Sequence, residues 1–321
     1  MAAPHFPPHV CVCICTYRRN EPLERLLLAI GRLTFPSGLE PDLRVHVVDN
    51  NPDGSAGTVV ERLAPQLPFP VGYQQVGQQN ISAVRNAALE GAPADADLLA
   101  LIDDDEEPSP EWLDHLLVVQ RECDADVVIG PVVPAFSADA PAWIRDGGFF
   151  DLAQHPDRTR LDDGISGNAL LRRSAVSLRG LRFDERLGLS GGEDQAFFRS
   201  VAASGLDIRY AADALVTEPV PQARLSVRYL LERERRKGNT LGLLDRGLDR
   251  RTPRPAAIRL LKSAKYLAHG VGGLLLLPVT RSRASLVWSL CRVARGAGML
   301  TGLGGRSFDQ YKIQNARATG H

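Results

Sequence analysis

Three adjacent aspartates in this sequence have the type and spacing to bind a metal ion. In the stretch LLALIDDDEEPSPEW, Asp103, Asp104 and Asp105 directly follow an apolar run. Neighbouring carboxylates raise each other's pKa unless a cation compensates their charge. Because alternate residues of an extended segment share one side, Asp103 and Asp105 can reach the same ion. Oxygen ligands favour Mg2+ or Mn2+, which complete their shells with water and substrate phosphates.

The acids around this run also allow an ordinary interpretation. Glu106, Glu107 and Glu111 are interpreted as solvated turn residues or as acids favoured at a helix N-terminus. The same interpretation is open for the three aspartates. Their position directly after LLALI nevertheless favours a metal site.

A second group of candidate residues lies in GLSGGEDQAFFRS. Gly191 and Gly192 permit close approach of the backbone to a ligand, and Glu193 and Asp194 fall where a helix begins. Acids at this position can simply stabilise the helix terminus. Because the terminus favours the charged form, we expect Asp194 to be ionised at pH 7 and able to act as a general base.

These residues must be positioned by alternating strands and helices. Predicted strands are HVCVCICTY, LRVHVVDNN, DLLALIDDD and DVVIGPVVP; predicted helices are NEPLERLLLAIGRL, AGTVVERLAPQL, NISAVRNAALEGA and EWLDHLLVVQREC. Asn20 and Asn80 are predicted N-caps. The alternation predicts right-handed crossovers and an α/β fold with a mainly parallel, doubly wound sheet.

Ligands of such sheets bind at the carboxyl ends of the strands. Here those ends carry polar residues in the segments 16–18, 49–50 and 103–105. The first turn, CTYRRN, lacks the glycine pattern of a dinucleotide-binding loop, and no Gly-x-x-x-x-Gly-Lys loop is present in the sequence. A bound diphosphate would therefore need another cation, which the aspartate run can supply by binding a metal.

Charge is distributed unevenly along the 321 residues, although the formal net charge is zero. Residues 1–223 hold 18 Lys and Arg against 33 Asp and Glu, whereas residues 224–321 hold 20 against 5. We therefore predict an α/β domain over 1–223 and a basic helical extension over 224–321 that meet different partners.

The five cysteines do not resemble a secreted disulfide framework. Cys11, Cys13 and Cys15 alternate along one predicted strand, so we expect small buried thiols on one face of the sheet rather than a metal site. The first residues, MAAPHFPPHV, lack the pattern of a signal peptide. We expect a reduced, cytoplasmic protein.

The basic extension contains one long uncharged stretch, YLAHGVGGLLLLPVT, over residues 266–280. It is shorter than the roughly 18–20 residues of a confident membrane span. Basic residues flank it, so we interpret 255–300 as helices at an anionic membrane surface. A helical extension packed on the catalytic domain is equally compatible. The aromatic pattern of single-strand binders is lacking, so no nucleic acid partner is expected.

Six motifs occur in a characteristic order: CTYRR, VVDNN, ISAVRNAAL, LLALIDDDEEPSPEWL, ISGNALLRRSAV and FDERLGLSGGEDQAFFRS. Together they resemble the family 2 glycosyltransferases of the GT-A fold, and more narrowly bacterial enzymes of exopolysaccharide and surface-glycan assembly. The resemblance covers about residues 9–240. It implies a Rossmann-like, mainly parallel sheet with flanking helices.

The resemblance implies a nucleotide site at the first strand ends. Thr16, Tyr17 and Arg18 would form the first nucleotide-contacting loop, Asp49 would accept a base N–H, and Arg85 would lie beside the base and phosphates. Each of three positions has an ordinary alternative. Arg18 could be a surface charge, Asp49 could belong to a turn, and Arg85 could lie on a solvated helix face.

The aspartate run resembles the family's Asp-x-Asp element. By this resemblance, Asp103 and Asp104 would contact the nucleotide sugar, and Asp105, together with Asp103, would bind the metal.

The acceptor side is implied by the later motifs. Asp194 would be the catalytic base, Glu193 would orient the acceptor or the loop, and Asn168 would line the sugar pocket. Arg236 lies where many relatives carry an arginine near the diphosphate, although Lys237 replaces the usual tryptophan. A solvated basic helix is equally compatible there.

We therefore expect a metal-dependent, inverting hexosyltransferase. It would move a sugar from a nucleoside-diphosphate sugar, with a UDP-sugar favoured, to a glycan hydroxyl on a lipid-linked intermediate at the inner face of the cell membrane. A sugar-phosphate nucleotidyltransferase and a catalytically silent membrane-associated scaffold are the alternatives.

Overall fold

The computed structural model describes residues 7–246 and 255–305 of the chain. The strands are β1 (His9–Thr16), β2 (Asp42–Asp49), β3 (Val71–Gln75), β4 (Leu98–Asp103), β5 (Glu107–Pro108), β6 (Val127–Ile129), β7 (Val132–Ala135), β8 (Arg160–Leu161), β9 (Asn168–Arg172), β10 (Ile208–Tyr210) and β11 (Val216–Pro219). The helices are α1 (Asn20–Ile30), α2 (Ser55–Leu63), α3 (Ile81–Gly91), α4 (Trp112–Cys123), α5 (Ala142–Arg145), α6 (Arg173–Leu178), α7 (Glu193–Ala203), α8 (Val227–Asp245), α9 (Ala256–Leu275), α10 (Leu277–Thr280) and α11 (Arg283–Leu303). Part of the predicted N-terminal segment and parts of the predicted extension, 247–254 and 306–321, lie outside the described residues.

The main sheet has eight strands in the order β3-β2-β1-β4-β9-β6-β10-β8. Strand β1 pairs in parallel with β2 and β4, β2 with β3, and β6 with β10. Strand β9 runs antiparallel between β4 and β6, and β8 is antiparallel to β10. The predicted α/β class and mainly parallel sheet are confirmed, while the antiparallel β9 is an addition that strand–helix alternation does not predict.

The segment predicted as one strand, DVVIGPVVP, is divided between two sheets. β6 lies in the main sheet, whereas β7 belongs to a three-stranded sheet with the order β5-β11-β7. Gly130 and Pro131 separate the two strands. Proline has no backbone N–H to donate to a ladder, so the strand leaves the main sheet here.

The strand register places the polar strand ends at one edge. Thr16 at the end of β1 pairs with Asp49 at the end of β2, and Cys15 pairs with Asp103 at the end of β4. Parallel pairing therefore brings together residues that are distant in sequence.

The two faces of β1 lie in two different hydrophobic clusters. Val10, Val12 and Ile14 belong to one cluster, and Cys11 and Cys13 belong to the other. Cys11 and Cys13 are buried, as the alternation predicts, and all five cysteines are free thiols.

One of the two predicted helix caps is observed. The side chain of Asn80 accepts a hydrogen bond of 3.1 Å from the backbone N–H of Ala83 and caps α3. Asn20, by contrast, is the first residue of α1 and makes no cap; its side-chain amide contacts Ser55 through two hydrogen bonds.

The chain forms two compact units. The first comprises the described chain up to Pro134 together with Leu152–Glu185 and Glu193–Glu218. The second comprises Ala135–Asp151, Arg186–Gly192 and the described chain from Pro219 onward. The second unit thus includes two short segments from within the predicted α/β domain.

Helices α8, α9 and α11 pack together in the second unit through small residues. A Cβ added at Gly238 of α8 would meet the carbonyl oxygen of Arg295, and one added at Gly298 of α11 would meet the carbonyl oxygen of Arg235. The two backbones approach closely because neither position carries a side chain. Within residues 7–246 and 255–305, no helix has the length and apolar character needed to cross a bilayer.

Candidate active site

The central aspartate of the run is buried and held by the loop that follows β1. Thr16 Oγ1 donates a hydrogen bond of 2.7 Å to Asp104, and Arg19 Nη1 donates one of 2.8 Å to the other oxygen. Arg19 Nη1 also lies 2.7 Å from a carboxylate oxygen of Asp105. Burial raises the pKa of Asp104 to about 6, although Arg19 opposes the shift. Thr16 and Asp104 therefore join the ends of β1 and β4.

The first and third aspartates of the run keep carboxylate oxygens that could still bind a metal ion. Asp103 pairs with Arg85 at 3.3 Å and Asp105 pairs with Arg19, each through one oxygen, and their side chains are 41% and 20% exposed. Among the described residues, no group of three or more His, Cys, Asp or Glu is arranged to hold a metal ion. Two carboxylates, which offer only oxygen atoms as ligands, nevertheless fit Mg2+ or Mn2+. These ions take their remaining ligands from water and phosphates. Asp103 and Asp105 are the residues that would hold such an ion.

Arg85 connects the two groups of acids found in the sequence. This residue is 8% exposed; its guanidinium donates to the carboxylate of Glu193 on α7 and, at 3.3 Å, to Asp103 at the end of β4. Burial alone would lower the pKa of Arg85, but Glu193 and Asp103 outweigh burial and raise it. The solvated alternative for Arg85 is wrong, because the side chain is buried between acids from two predicted motifs.

Asp194 lies beside this cluster in the first turn of α7. Its Oδ1 accepts a hydrogen bond of 2.7 Å from the backbone N–H of Gln195. Burial raises the pKa of Asp194, and Arg85 lowers it in opposition. The helix terminus therefore does not keep the pKa at its ordinary value, and the carboxylate is a stronger base than a solvated aspartate.

Glu193 is buried and paired through only one of its two carboxylate oxygens. Oε1 accepts from Arg85, whereas Oε2 is buried without a hydrogen-bond partner in the described part of the chain. Burial raises the pKa of Glu193, with Arg85 opposing. Gly191 and Gly192, which precede the helix, have φ of 80° and 91°. These values lie in the left-handed region that glycine adopts without strain.

Glu106 is not the solvated residue that we predicted. It is 6% exposed, and its Oε2 accepts a hydrogen bond of 2.8 Å from the backbone N–H of Asp103. Burial raises its pKa well above the ordinary value for glutamate. Glu106 therefore fixes the backbone of the first aspartate, while Glu107 and Glu111 are exposed as expected.

The carboxylate of Asp49 accepts three hydrogen bonds within the fold. The fully buried carboxylate accepts hydrogen bonds from the backbone N–H groups of Asn51 and Ala56 at 2.8 and 3.0 Å and from the hydroxyl of Tyr73 at 3.1 Å. Asp49 therefore holds the β2–α2 turn, and its predicted contact with the nucleotide base stays a prediction.

Its neighbour Asn50, which the sequence placed at a polar strand end without assigning it a role, has no hydrogen-bond partner for its side chain among the described residues. Asn50 is 1% exposed, and neither its side-chain nitrogen nor its oxygen has a partner within the described ranges. A buried amide without partners is costly unless a ligand pairs with it. Its position directly after a strand end was the available signal.

The remaining residues of the first loop lie at the same strand edge. Arg18 adopts a left-handed conformation with φ of 54°, lies over the Tyr17 ring at 5.3 Å and donates to Asn51 at 3.3 Å. The hydroxyl of Tyr17 accepts a hydrogen bond of 2.8 Å from Gln79. The side chain of Arg18 is 57% exposed and stays accessible to a ligand.

Asn168 is occupied inside the fold. Its side-chain nitrogen donates to the carbonyl oxygens of Pro131 and Ala214 at 2.9 and 2.7 Å, and its oxygen accepts from Trp112 at 2.8 Å. The residue is fully buried. The predicted sugar contact is therefore replaced by a structural role that joins α4 to β9.

Arg236 on α8 belongs to the second unit and is half-buried. The side chain has no hydrogen-bond or ion-pair partner among residues 7–246 and 255–305. Burial lowers the pKa of Arg236, and the positive charges of Arg233 and Arg224 lower it further. A half-buried cation near other cations favours an anionic ligand. Arg233, three residues earlier on α8, donates a hydrogen bond of 2.8 Å to the carbonyl oxygen of Phe149.

Structural comparisons place this architecture among glycosyltransferases of the GT-A fold. The mannosyltransferase PcManGT from Pyrobaculum calidifontis, in complex with GDP-Man and Mn2+, matches with a TM-score of 0.64 and 17% identity over 95% of this chain and 89% of that chain. S. aureus TarS matches with a TM-score of 0.55 and 17% identity over 89% of this chain; the match spans only 55% of the TarS chain. A shorter TarS structure, residues 1–349 with UDP-GlcNAc, matches with a TM-score of 0.53 and 15% identity over 93% of this chain and 92% of that chain.

Sequence comparisons identify the family. The chain is 40% identical over 236 residues to the succinoglycan biosynthesis protein ExoM of Rhizobium meliloti (strain 1021), which is 74% of this chain and 75% of that protein. The family model described as glycosyl transferase family 2 matches residues 11–179, which include β1 from its third residue, β2 to β4 and the aspartate run. This chain therefore belongs to glycosyl transferase family 2.

Proposed function

We propose that this glycosyltransferase is metal-dependent and inverting, and that it transfers a hexose from a nucleoside-diphosphate sugar to a glycan hydroxyl on a lipid-linked acceptor. The observation that carries the proposal is the position of Arg85. It pairs with Asp103, a donor-side residue, and with Glu193, the neighbour of the candidate base. Donor and acceptor chemistry would thus occur around one buried cation.

Asp194 is the catalytic base in this proposal. Its carboxylate takes the proton from the acceptor hydroxyl as the oxygen forms a bond to the anomeric carbon, and the nucleoside diphosphate leaves from the opposite face. The raised pKa of Asp194 makes the carboxylate a better proton acceptor, provided that it is ionised. Glu193 holds Arg85 and orients the acceptor side.

The leaving diphosphate needs positive charge, which several groups would supply. Asp103 and Asp105 would bind Mg2+ or Mn2+, whose role is to neutralise the developing charge on the diphosphate. Arg18 and Arg85 are cations at the same strand edge that would face the diphosphate.

The donor is proposed to be a UDP-sugar. Asp49 and its neighbour Asn50, at the end of β2, are the candidates for the base contact in this proposal, and the unpartnered Asn50 amide has both an acceptor and a donor to offer. TarS was solved with UDP-GlcNAc, whereas the archaeal mannosyltransferase was solved with GDP-Man and Mn2+. The second of these structures supports the proposal of a divalent metal.

The acceptor is proposed to be a growing surface polysaccharide. Support comes from the name of the R. meliloti relative, a succinoglycan biosynthesis protein. We propose that residues 1–223 carry catalysis and that 224–321 contact the anionic inner face of the cell membrane, where a lipid-linked acceptor would be found.

A thermal-shift series tests the donor and metal parts of the proposal. UDP, GDP, ADP and CDP are added with Mn2+ or with a chelator. We expect one nucleotide, UDP first, to stabilise the protein more with Mn2+ than without it. With Mn2+ and a nucleotide concentration a hundredfold above Kd, the free energy of unfolding should rise by about 2.7 kcal/mol over that of the nucleotide-free protein. Equal shifts that do not depend on metal would contradict the aspartate site.

The products of turnover separate the alternatives. A glycosyltransferase releases a nucleoside diphosphate from the donor, whereas a sugar-phosphate nucleotidyltransferase releases pyrophosphate. No turnover with any donor and a polysaccharide acceptor would favour the silent scaffold.

A further inference from the structure

Helix α9 exposes its large apolar residues. Leu261, Val271 and Leu275 are 71%, 51% and 76% exposed, and Leu276, directly after the helix, is 59% exposed. The exposed positions 257, 261, 264, 268, 271 and 275 hold Ala, Leu, Ala, Ala, Val and Leu, and they follow the helical period of three and four residues. This stripe is called the α9 apolar face below.

The opposite side of α9 carries small residues that fix its orientation. Ser263 is fully buried, and its hydroxyl donates a hydrogen bond of 2.9 Å to the carbonyl oxygen of Gly296 on α11. Cβ atoms added at Gly270 and Gly273 would meet atoms of Ser289, also on α11. A helix on a water-exposed surface usually buries its large apolar residues. Here the close contact with α11 requires the small residues, so the apolar side remains outside.

The segment that carries the α9 apolar face is positively charged. Residues 255–305 contain seven Lys and Arg and no Asp or Glu. Lys265 of α9 and Arg292 of α11 are exposed and make no ion pair in the described part of the chain. This combination of apolar surface and unpaired cations matches the chemistry of an anionic lipid layer.

A cavity of about 430 Å³ is lined by residues of α8, α9 and α11, and Lys265 in its lining directly follows Ala264 of the α9 apolar face. Its lining includes the cations Lys262, Lys265 and Arg292 together with Tyr266 and His269. Within the described residues, Lys262 has an acidic partner, Asp245, at 3.3 Å, whereas Lys265 and Arg292 have none. The cavity therefore offers phosphate-binding side chains next to an exposed apolar helix face.

We propose that the α9 apolar face and the adjacent cationic cavity form the membrane-docking surface of this protein. The occupant is the anionic phospholipid leaflet: Leu261, Val271 and Leu275 enter the interfacial layer, and a lipid phosphate is held by Lys265 and Arg292. This inference rests on the proposed function and names the residues that would contact the membrane. A second copy of the chain is disfavoured as the occupant because two-fold pairing would bring the same unpaired cations together.

The test is co-sedimentation of the full-length protein with vesicles of phosphatidylcholine alone or mixed with phosphatidylglycerol. We expect binding to the mixed vesicles and weak binding to the neutral ones. Leu275→Asp should weaken binding to the mixed vesicles by about tenfold or more, because it places a carboxylate in the apolar face. The double variant Lys265→Glu and Arg292→Glu should weaken it by a similar factor.

Leu178→Asp is the matched control. Leu178 lies at the end of α6 and is 84% exposed, but it is not part of the basic helices, so this variant should bind like the wild type. Circular dichroism melting checks that all variants are folded. Equal binding by Leu275→Asp and the wild type, or equal binding to both kinds of vesicle, would overturn the proposal. So would a change of oligomeric state in Leu275→Asp without loss of vesicle binding.

Vesicle binding needs neither donor nor turnover. Failure of the proposed enzyme activity and failure of this surface would therefore be seen in separate experiments.

Discussion

Arg85 controls the electrostatics of the candidate site at the scale of single residues. It is buried, it pairs with Asp103 and Glu193, and its charge lowers the pKa of Asp194 against the effect of burial. Losing this cation would leave buried carboxylates without compensation. The protonation of the candidate base should therefore depend on an arginine that comes from a different motif.

This dependence predicts a shift in the pH profile of Arg85→Met. Transfer requires ionised Asp194, so kcat/KM should rise with pH and level off above its pKa, which burial already places above the ordinary aspartate value. Removing the positive charge raises that pKa further, so the acidic limb should move to higher pH, in addition to any loss of donor binding. The measurement is kcat/KM against pH for both proteins.

Arg62→Met is the control, because Arg62 forms an exposed pair with Glu24. Its acidic limb should coincide with that of the wild type. An unmoved limb in Arg85→Met would show that Arg85 does not act on the base.

Residue type and local position predicted part of the site. The aspartate run and the Glu193–Asp194 pair stand out because acids follow an apolar strand or begin a helix. Asn168 was misassigned because its partners, Trp112, Pro131 and Ala214, are brought to it only by the fold. The burial of Glu106 and the unpaired amide of Asn50 likewise depend on tertiary contacts that no local pattern contains.

At the scale of elements, the strands with strong apolar patterns were predicted and the weak ones were not. β1 and β4 are continuous apolar runs in the centre of the sheet. β3, with the sequence VGYQQ, lies at the sheet edge and has no clear alternation. The antiparallel direction of β9 arises from its pairing with β4 and β6, which a periodic pattern cannot specify.

The close contact between α8 and α11 predicts different effects for alanine at Gly298 and at Gly272. At either position the change from glycine to alanine raises helix propensity by about 0.5–1 kcal/mol. Gly298→Ala should nevertheless destabilise the protein by about 2 kcal/mol, because the added Cβ would meet the carbonyl oxygen of Arg235. Chemical denaturation gives the free energy of unfolding of each variant.

Gly272→Ala on α9 is the matched control, since a Cβ there meets nothing within 4 Å. It should be neutral or slightly stabilising. Equal effects at both positions would contradict the packing described for α8 and α11.

At the scale of the whole molecule, the chain divides its charge between an acidic part and a basic part. The acidic α/β part, residues 1–223, carries the candidate donor and base residues, whereas the described part of the basic extension carries the α9 apolar face and its cations. A transferase that takes a soluble donor and a lipid-linked acceptor would need both surfaces. The charge asymmetry was visible in the sequence, but the outward direction of the apolar residues of α9 was not, because it depends on the contact with α11.

The measurement that tests the central claim most directly compares two carboxylate variants by donor affinity and by turnover. Asp194→Asn should leave nucleoside-diphosphate affinity nearly unchanged and slow transfer by about a hundredfold or more, since the amide keeps the size of the side chain but cannot accept the proton. Asp105→Ala should weaken metal-dependent nucleotide binding and abolish transfer together. Calorimetric titration of the nucleotide and release of nucleoside diphosphate give the two readouts. An Asp194→Asn enzyme that transfers sugar at the wild-type rate would contradict the account, and Glu193 would be the next candidate for the base.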